Sequence, residues 1–136
     1  MSQNINEKKR ISSAQAPAAI GPYSQAIGLG NLVFCSGQIP LDPQSMQIEA
    51  TEIRTQTQKV LANLKAVLAA AGSSPAKILK TTVFLTDLKN FEVFNQEYGA
   101  FFEKEGASAP TPARSTIQVS GLPRGALVEV EAIAYT

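Results

Sequence analysis

The chain has 136 residues, the size of one domain built on a single hydrophobic core. Apolar residues at 44% and charged residues at 17% fit a globular chain rather than a disordered or membrane one. Twelve Lys+Arg against eleven Asp+Glu leave +1, too little for long-range attraction to nucleic acid or anionic lipid, and the absence of histidine with a lone cysteine excludes imidazole catalysis, His-ligated metal and an internal disulfide.

No segment approaches the ~18 apolar residues of a membrane span. Residues 1–10, MSQNINEKKR, are polar, lack the apolar run of a secretory signal and end in a basic cluster. They read as a solvated, flexible tail ahead of one domain over 11–136, and the expected compartment is cytoplasmic. From Ile11 to Pro22 the composition is irregular or edge-like. A strand begins near Tyr23–Ile27, and Gly28 with Gly30-Asn31 reads as a hairpin turn into the apolar run Leu32–Gly37. Leu41–Met46, with Asp42 and Pro43, is a loop.

The period then becomes helical. Ile53, Val60, Leu61, Leu64, Val67, Leu68 and Ala71 recur on one face, Arg54, Gln58 and Lys65 lie opposite, and Gly72 and Pro75 stop the helix. Lys77–Thr86 reads as a strand with Leu79, Thr81, Val83 and Leu85 on one side. A second helix follows, with Asp87 or Asn90 as cap, an aromatic stripe of Phe91, Phe94, Tyr98, Phe101 and Phe102, and Gly106 as its end. Two more strands flank the turn-rich Gly121–Gly125. The order predicts an α+β domain with two helices on one face of a mixed sheet. Strands with apolar residues on both phases predict that the other face is covered by assembly.

Chemistry concentrates in the last two strands. Arg114, Thr116, Gln118 and Ser120 share one phase, and Glu129 and Glu131 share another. If these strands pair as a hairpin, a guanidinium, a threonine hydroxyl and two carboxylates stand on one polar face. The alternative is a solvated face with an Arg–Glu cross-strand pair. Asn95 sits on the edge of the aromatic stripe, as either a helix–strand tether or a ligand contact. Tyr23 is either a half-buried ring or a binding residue, Cys35 reads as a small buried hydrophobe, and Lys77 and Lys80 read as surface charges.

Four landmarks occur in order: Ala16–Ala26, Ser36–Pro40, Lys80–Leu88 with Phe91 and Asn95, and Pro112–Ser115 running on to Val128–Ala132. Together they resemble the reactive intermediate deaminase (Rid) family, and within it the RidA subgroup of 2-iminobutanoate/2-iminopropanoate deaminases. The resemblance implies a chorismate-mutase-like α+β subunit, assembled as a homotrimer with ligand clefts between subunits. It implies that Arg114 binds a substrate carboxylate, that Glu129 positions or activates water, and that Tyr23, Ser36, Gly37 and Asn95 line the cleft. Thr116 stands where many bacterial members carry cysteine, which leaves a hydroxyl at a substrate-binding position. The implied reaction is hydrolysis of 2-imino acids to 2-oxo acids and ammonia, with no metal or organic cofactor. The expected partners are a small imino acid and two further copies of the chain, without membrane or nucleic acid. The rival readings are a ribonuclease or translation inhibitor, and a non-catalytic, carboxylate-binding or chaperone-like member.

Overall fold

The structure is a computed structural model describing residues 6–136. Its strands are β1 (Lys9–Ile11), β2 (Ala26–Leu29), β3 (Leu32–Gln38), β4 (Ile78–Leu85), β5 (Ala113–Gln118) and β6 (Val128–Tyr135). Two helices, α1 (Ile53–Ala70) and α2 (Phe91–Glu105), complete the α+β fold expected from the sequence. The strands form one mixed sheet in the order β1-β2-β3-β6-β4-β5, antiparallel except for the parallel pair β4–β5. That parallel pair is joined through α2, the crossover a parallel connection requires.

Each helix follows from its residue pattern. Val60, Leu61, Leu64, Val67 and Leu68 of α1 are buried at 1% exposure or less, and Gly72 just past the helix adopts a left-handed φ of +75°. In α2, Phe94, Tyr98 and Phe102 are buried, with ring centroids 5.4 Å and 4.8 Å apart along the stripe. Asp87 caps the short turn ahead of α2 by accepting from the Lys89 amide at 2.9 Å. The polar face of α1 clasps α2 through Arg54 and Gln58 on Glu97 and through Lys65 on Glu105.

Two expectations change. Lys9 and Arg10 are not tail: they pair with Gly28 and Ile27 in β1, because strand β2 would otherwise offer an open edge. The rest of the expected tail falls partly on residues 1–5, outside the described residues. Leu79 does not face the core: a register shift between Ile78 and Lys80 turns it out to 46% exposure, while Thr81, Val83 and Leu85 stay fully buried.

The sheet face away from the helices carries Leu29, Leu32, Phe34, Ile117 and Tyr135, each exposed by 36–46%. No helix among the described residues is long and apolar enough to cross a membrane.

Candidate functional site

The site residues fall into two groups held on opposite faces of the sheet. The register pairs Arg114 with Thr81 and Thr116 with Val83, residues that point at the helices. It pairs Glu129 with Phe84 and Glu131 with Thr82, the opposite phase of β4. Paired residues share a face and neighbours alternate, so the guanidinium and the carboxylates point apart. The polar hairpin face is therefore corrected: β4 lies between β5 and β6, and Arg114 and Glu129 make no cross-strand pair.

The first group surrounds a cleft of about 530 Å³ lined by Tyr23, Ser36, Gly37, Glu129 and Glu131 together with Arg124. The Ser36 hydroxyl donates to the Ser24 carbonyl at 2.6 Å, and the Ser36 amide donates to the Gln25 carbonyl at 2.9 Å. These bonds fix the loop that carries Tyr23, a residue 52% exposed at the cleft wall. Gln25 fastens the same loop from within, its side-chain amide donating to the Pro17 carbonyl at 2.7 Å and accepting from the Ser13 amide at 2.6 Å. Nothing in the local pattern marked Gln25, since a clamp of this kind is visible only after the loop has folded back.

Gly37 has a spatial role. A Cβ built there would fall 2.8 Å from the Glu129 carboxyl carbon and overlap its oxygen. The glycine thus leaves the room in which the carboxylate lies. Burial pushes the Glu129 carboxyl above its usual range, and the nearby Glu131 charge raises it further. Such a carboxylate is a better proton acceptor than a solvated one. Because the backbone at Gly37 is not left-handed, Gly37→Ala is expected to keep the fold but displace Glu129. Steady-state kinetics of the reaction carried out at this site should then show a loss on the order of 10²-fold, the typical cost of misplacing a reacting group by about 1 Å.

The second group lies where the edge strand β5 meets α2. The Arg114 guanidinium sits over the rings of Tyr98, Phe91 and Phe94, with its carbon 4.9, 5.6 and 5.8 Å from their centroids. Tyr98 shares a 2.7 Å hydrogen bond with Thr81, and burial raises its phenol, opposed by that bond and by the Arg114 charge. The aromatic stripe is thus a platform for a cation as well as core. The Asn95 side-chain oxygen and the Thr116 hydroxyl are buried and have no hydrogen-bond partner among the described residues. The tether expected as one alternative for Asn95 is absent on the oxygen side. A polar atom so placed carries a desolvation cost unless a ligand or another chain completes it.

Arg124 is a site-lining residue that sequence reasoning missed. It adopts a left-handed φ of 57° in a Pro-Arg-Gly turn and donates to the Met46 carbonyl at 2.8 Å, joining two loops at the cleft rim. Cys35 behaves as expected: it is buried, and burial pushes its thiol up to about 12, so it offers no nucleophile near neutral pH. Lys80 is half-buried on the helix-free face rather than fully exposed. No group of three or more His, Cys, Asp or Glu side chains among the described residues is arranged to hold a metal ion.

The two-helix, mixed-sheet subunit has the fold of solved Rid-family structures, superposing on one from Yersinia pestis with a TM-score of 0.90 at 45% identity, covering 96% of this chain and 100% of that one. The chain belongs to the Endoribonuclease L-PSP family, whose model matches residues 13–136. It is 50% identical over 131 residues to the protein DfrA of Myxococcus xanthus, covering 95% of this chain and 96% of that one. It is 47% identical over 127 residues to TdcF of Escherichia coli, named as a reactive intermediate deaminase, covering 93% of this chain and 96% of that one. The crystal structure of TdcF with bound serine superposes with a TM-score of 0.89 at 44% identity, covering 94% of this chain and 98% of that one. A 2-iminobutanoate/2-iminopropanoate deaminase of Escherichia coli is 44% identical over 126 residues, covering 93% of this chain and 96% of that protein.

Proposed function

We propose that the protein hydrolyses reactive 2-imino acids, including 2-iminobutanoate and 2-iminopropanoate, to 2-oxo acids and ammonia in clefts between the subunits of a homotrimer. The separation of Arg114 and Glu129 carries this reading. The cleft around Glu129 holds a proton acceptor, but its own cation, Arg124, already spends one nitrogen on a backbone carbonyl. The Arg114 edge holds a planar cation beside two buried polar atoms that have no hydrogen-bond partner among the described residues. A second copy brought against the apolar sheet face joins the two halves, and covers the hydrophobic surface at the same time.

In the joined site Arg114 grips the substrate carboxylate through parallel N–H donors, which suits a planar anion. Thr116 and Asn95 beside it, and Tyr23 and Ser36 across from it, orient the rest of the molecule. The imine carbon is already electrophilic, so the chemistry needs an aimed water and a place for its protons. Glu129 accepts a proton as water oxygen bonds to C2. That proton passes to the imine nitrogen to complete the carbinolamine, which then collapses: the hydroxyl proton moves through Glu129 to the nitrogen as the C–N bond breaks, so ammonia leaves and the 2-oxo acid forms. The 44% identical relative named for this activity supports the substrate assignment. A net charge of +1 without a basic stripe gives no footing for the nuclease activity in the family's description.

The test is release of ammonia from 2-iminopropanoate generated in situ, run beside sedimentation equilibrium. The expected result is acceleration over the uncatalysed reaction by a species of three times 14.4 kDa. A monomer, or a trimer that binds 2-oxo acids but does not accelerate release, would overturn the reading.

A further inference from the structure

Glu131 has no role in the steps above, yet it stands two residues from Glu129, on the same face of β6, and lines the same cleft. That spacing along a strand is about 7 Å, close enough for two carboxylates to repel in a partly desolvated site. Glu131 is exposed and makes no ion pair or hydrogen bond among the described residues. Within one chain the groups around Glu129 do little to offset the repulsion, and the Arg114 that a neighbouring copy brings to the joined site is common to every variant compared below. Phe84 faces it from β4, and Gly37 lies against it from β3. Tyr23 and Arg124 stand at the cleft wall from the two loops, the arginine bonded to Met46. Lys80, opposite Ile133, lies beyond Glu131 and shares with it a smaller cavity of about 200 Å³, on the side away from Glu129.

We propose that Glu131 is a positioning residue that acts through Glu129, its negative charge favouring proton uptake by the neighbouring carboxylate in the shared cleft. The proposal rests on Glu129 being the proton acceptor. It accounts for two carboxylates two residues apart on one strand face that both line the same cleft. Burial is the first cause of the raised Glu129 carboxyl and Glu131 the second, which agrees with a tuning role rather than a direct one.

The experiment compares the native protein, Glu131→Gln and Glu131→Asp, each as the full chain. One readout is the Glu129 carboxyl titrated by carbon-13 NMR; the other is the pH dependence of ammonia release from 2-iminopropanoate. In Glu131→Gln both the titration midpoint and the acid limb are expected to fall by roughly 0.5–1 pH unit, the shift that loss of one charge at this distance produces in a partly solvated site. Glu131→Asp, which keeps the charge, should restore most of both. An unmoved midpoint overturns the proposal, and so does loss of turnover at every pH with the midpoint unmoved, because Glu131 would then act on the substrate itself. A midpoint that falls while the acid limb stays in place overturns the assignment of Glu129 as acceptor, and with it the role given to Glu131.

Discussion

Arg114→Lys is expected to lower kcat/KM by at least ~10²-fold while the fold and the assembly persist. Lysine keeps the charge but replaces two parallel donors with one mobile ammonium, so the carboxylate is gripped at a point and the imine carbon drifts from the water. The effect in this protein has a second source. The guanidinium carbon lies 4.9, 5.6 and 5.8 Å from the Tyr98, Phe91 and Phe94 ring centroids, and an ammonium on a flexible stem is not held there in the same way. Circular dichroism and sedimentation should match the native protein. Turnover near the native level would reduce Arg114 to a structural strand residue.

Glu129→Gln is expected to lower turnover by ~10²–10⁴-fold, the range for losing a general base, and to leave binding of 2-oxobutanoate in place. The amide fills the space that Gly37 leaves open but accepts a proton far less readily. The native pH profile should carry the same signature. The Glu129 carboxyl is raised, so its acceptor form is lost as pH falls through a value above the ordinary carboxylate range near ~4.3. Activity should therefore fall on the acid side at higher pH than a solvated glutamate would allow, and that limb should be missing from the residual rate of Glu129→Gln. Calorimetric titration with the product separates binding from turnover.

The helices were legible because their periods are strong and their ends are marked: the apolar spacing of α1 stops at Gly72, and the aromatic stripe of α2 starts after the Asp87 cap. The hairpin from β2 to β3 was legible from Gly30-Asn31. The arrangement of the last strands was not. A turn-rich Gly121–Gly125 between two strands suggests a hairpin, yet Val119–Leu127 passes over β4, whose inward residues Thr81, Val83 and Leu85 are buried between both neighbours. Strand phase alone states which residues share a face within one strand; it does not state which faces of two strands coincide until the register is known. That is why Arg114 and Glu129 could be picked out while their placement on opposite faces could not. Asn95 was legible as a misfit on its helix, and its buried oxygen, without a partner among the described residues, explains the misfit. Arg124 and Gln25 were invisible because their importance lies in bonds to loops distant along the chain.

The proposed site takes Arg114 from one subunit and Glu129 from another. Mixing the two impaired variants tests it directly: Arg114→Lys and Glu129→Gln are unfolded together, refolded at equal amounts and assayed for ammonia release. Each mixed trimer then contains interfaces where an intact Glu129 meets an intact Arg114, about a quarter of all sites by random assortment in a cyclic assembly. The expected result is recovery of roughly a quarter of native activity, with neither variant recovering when refolded alone. Activity that stays at the average of the two separate variants would place both residues in the service of one chain and contradict the shared site.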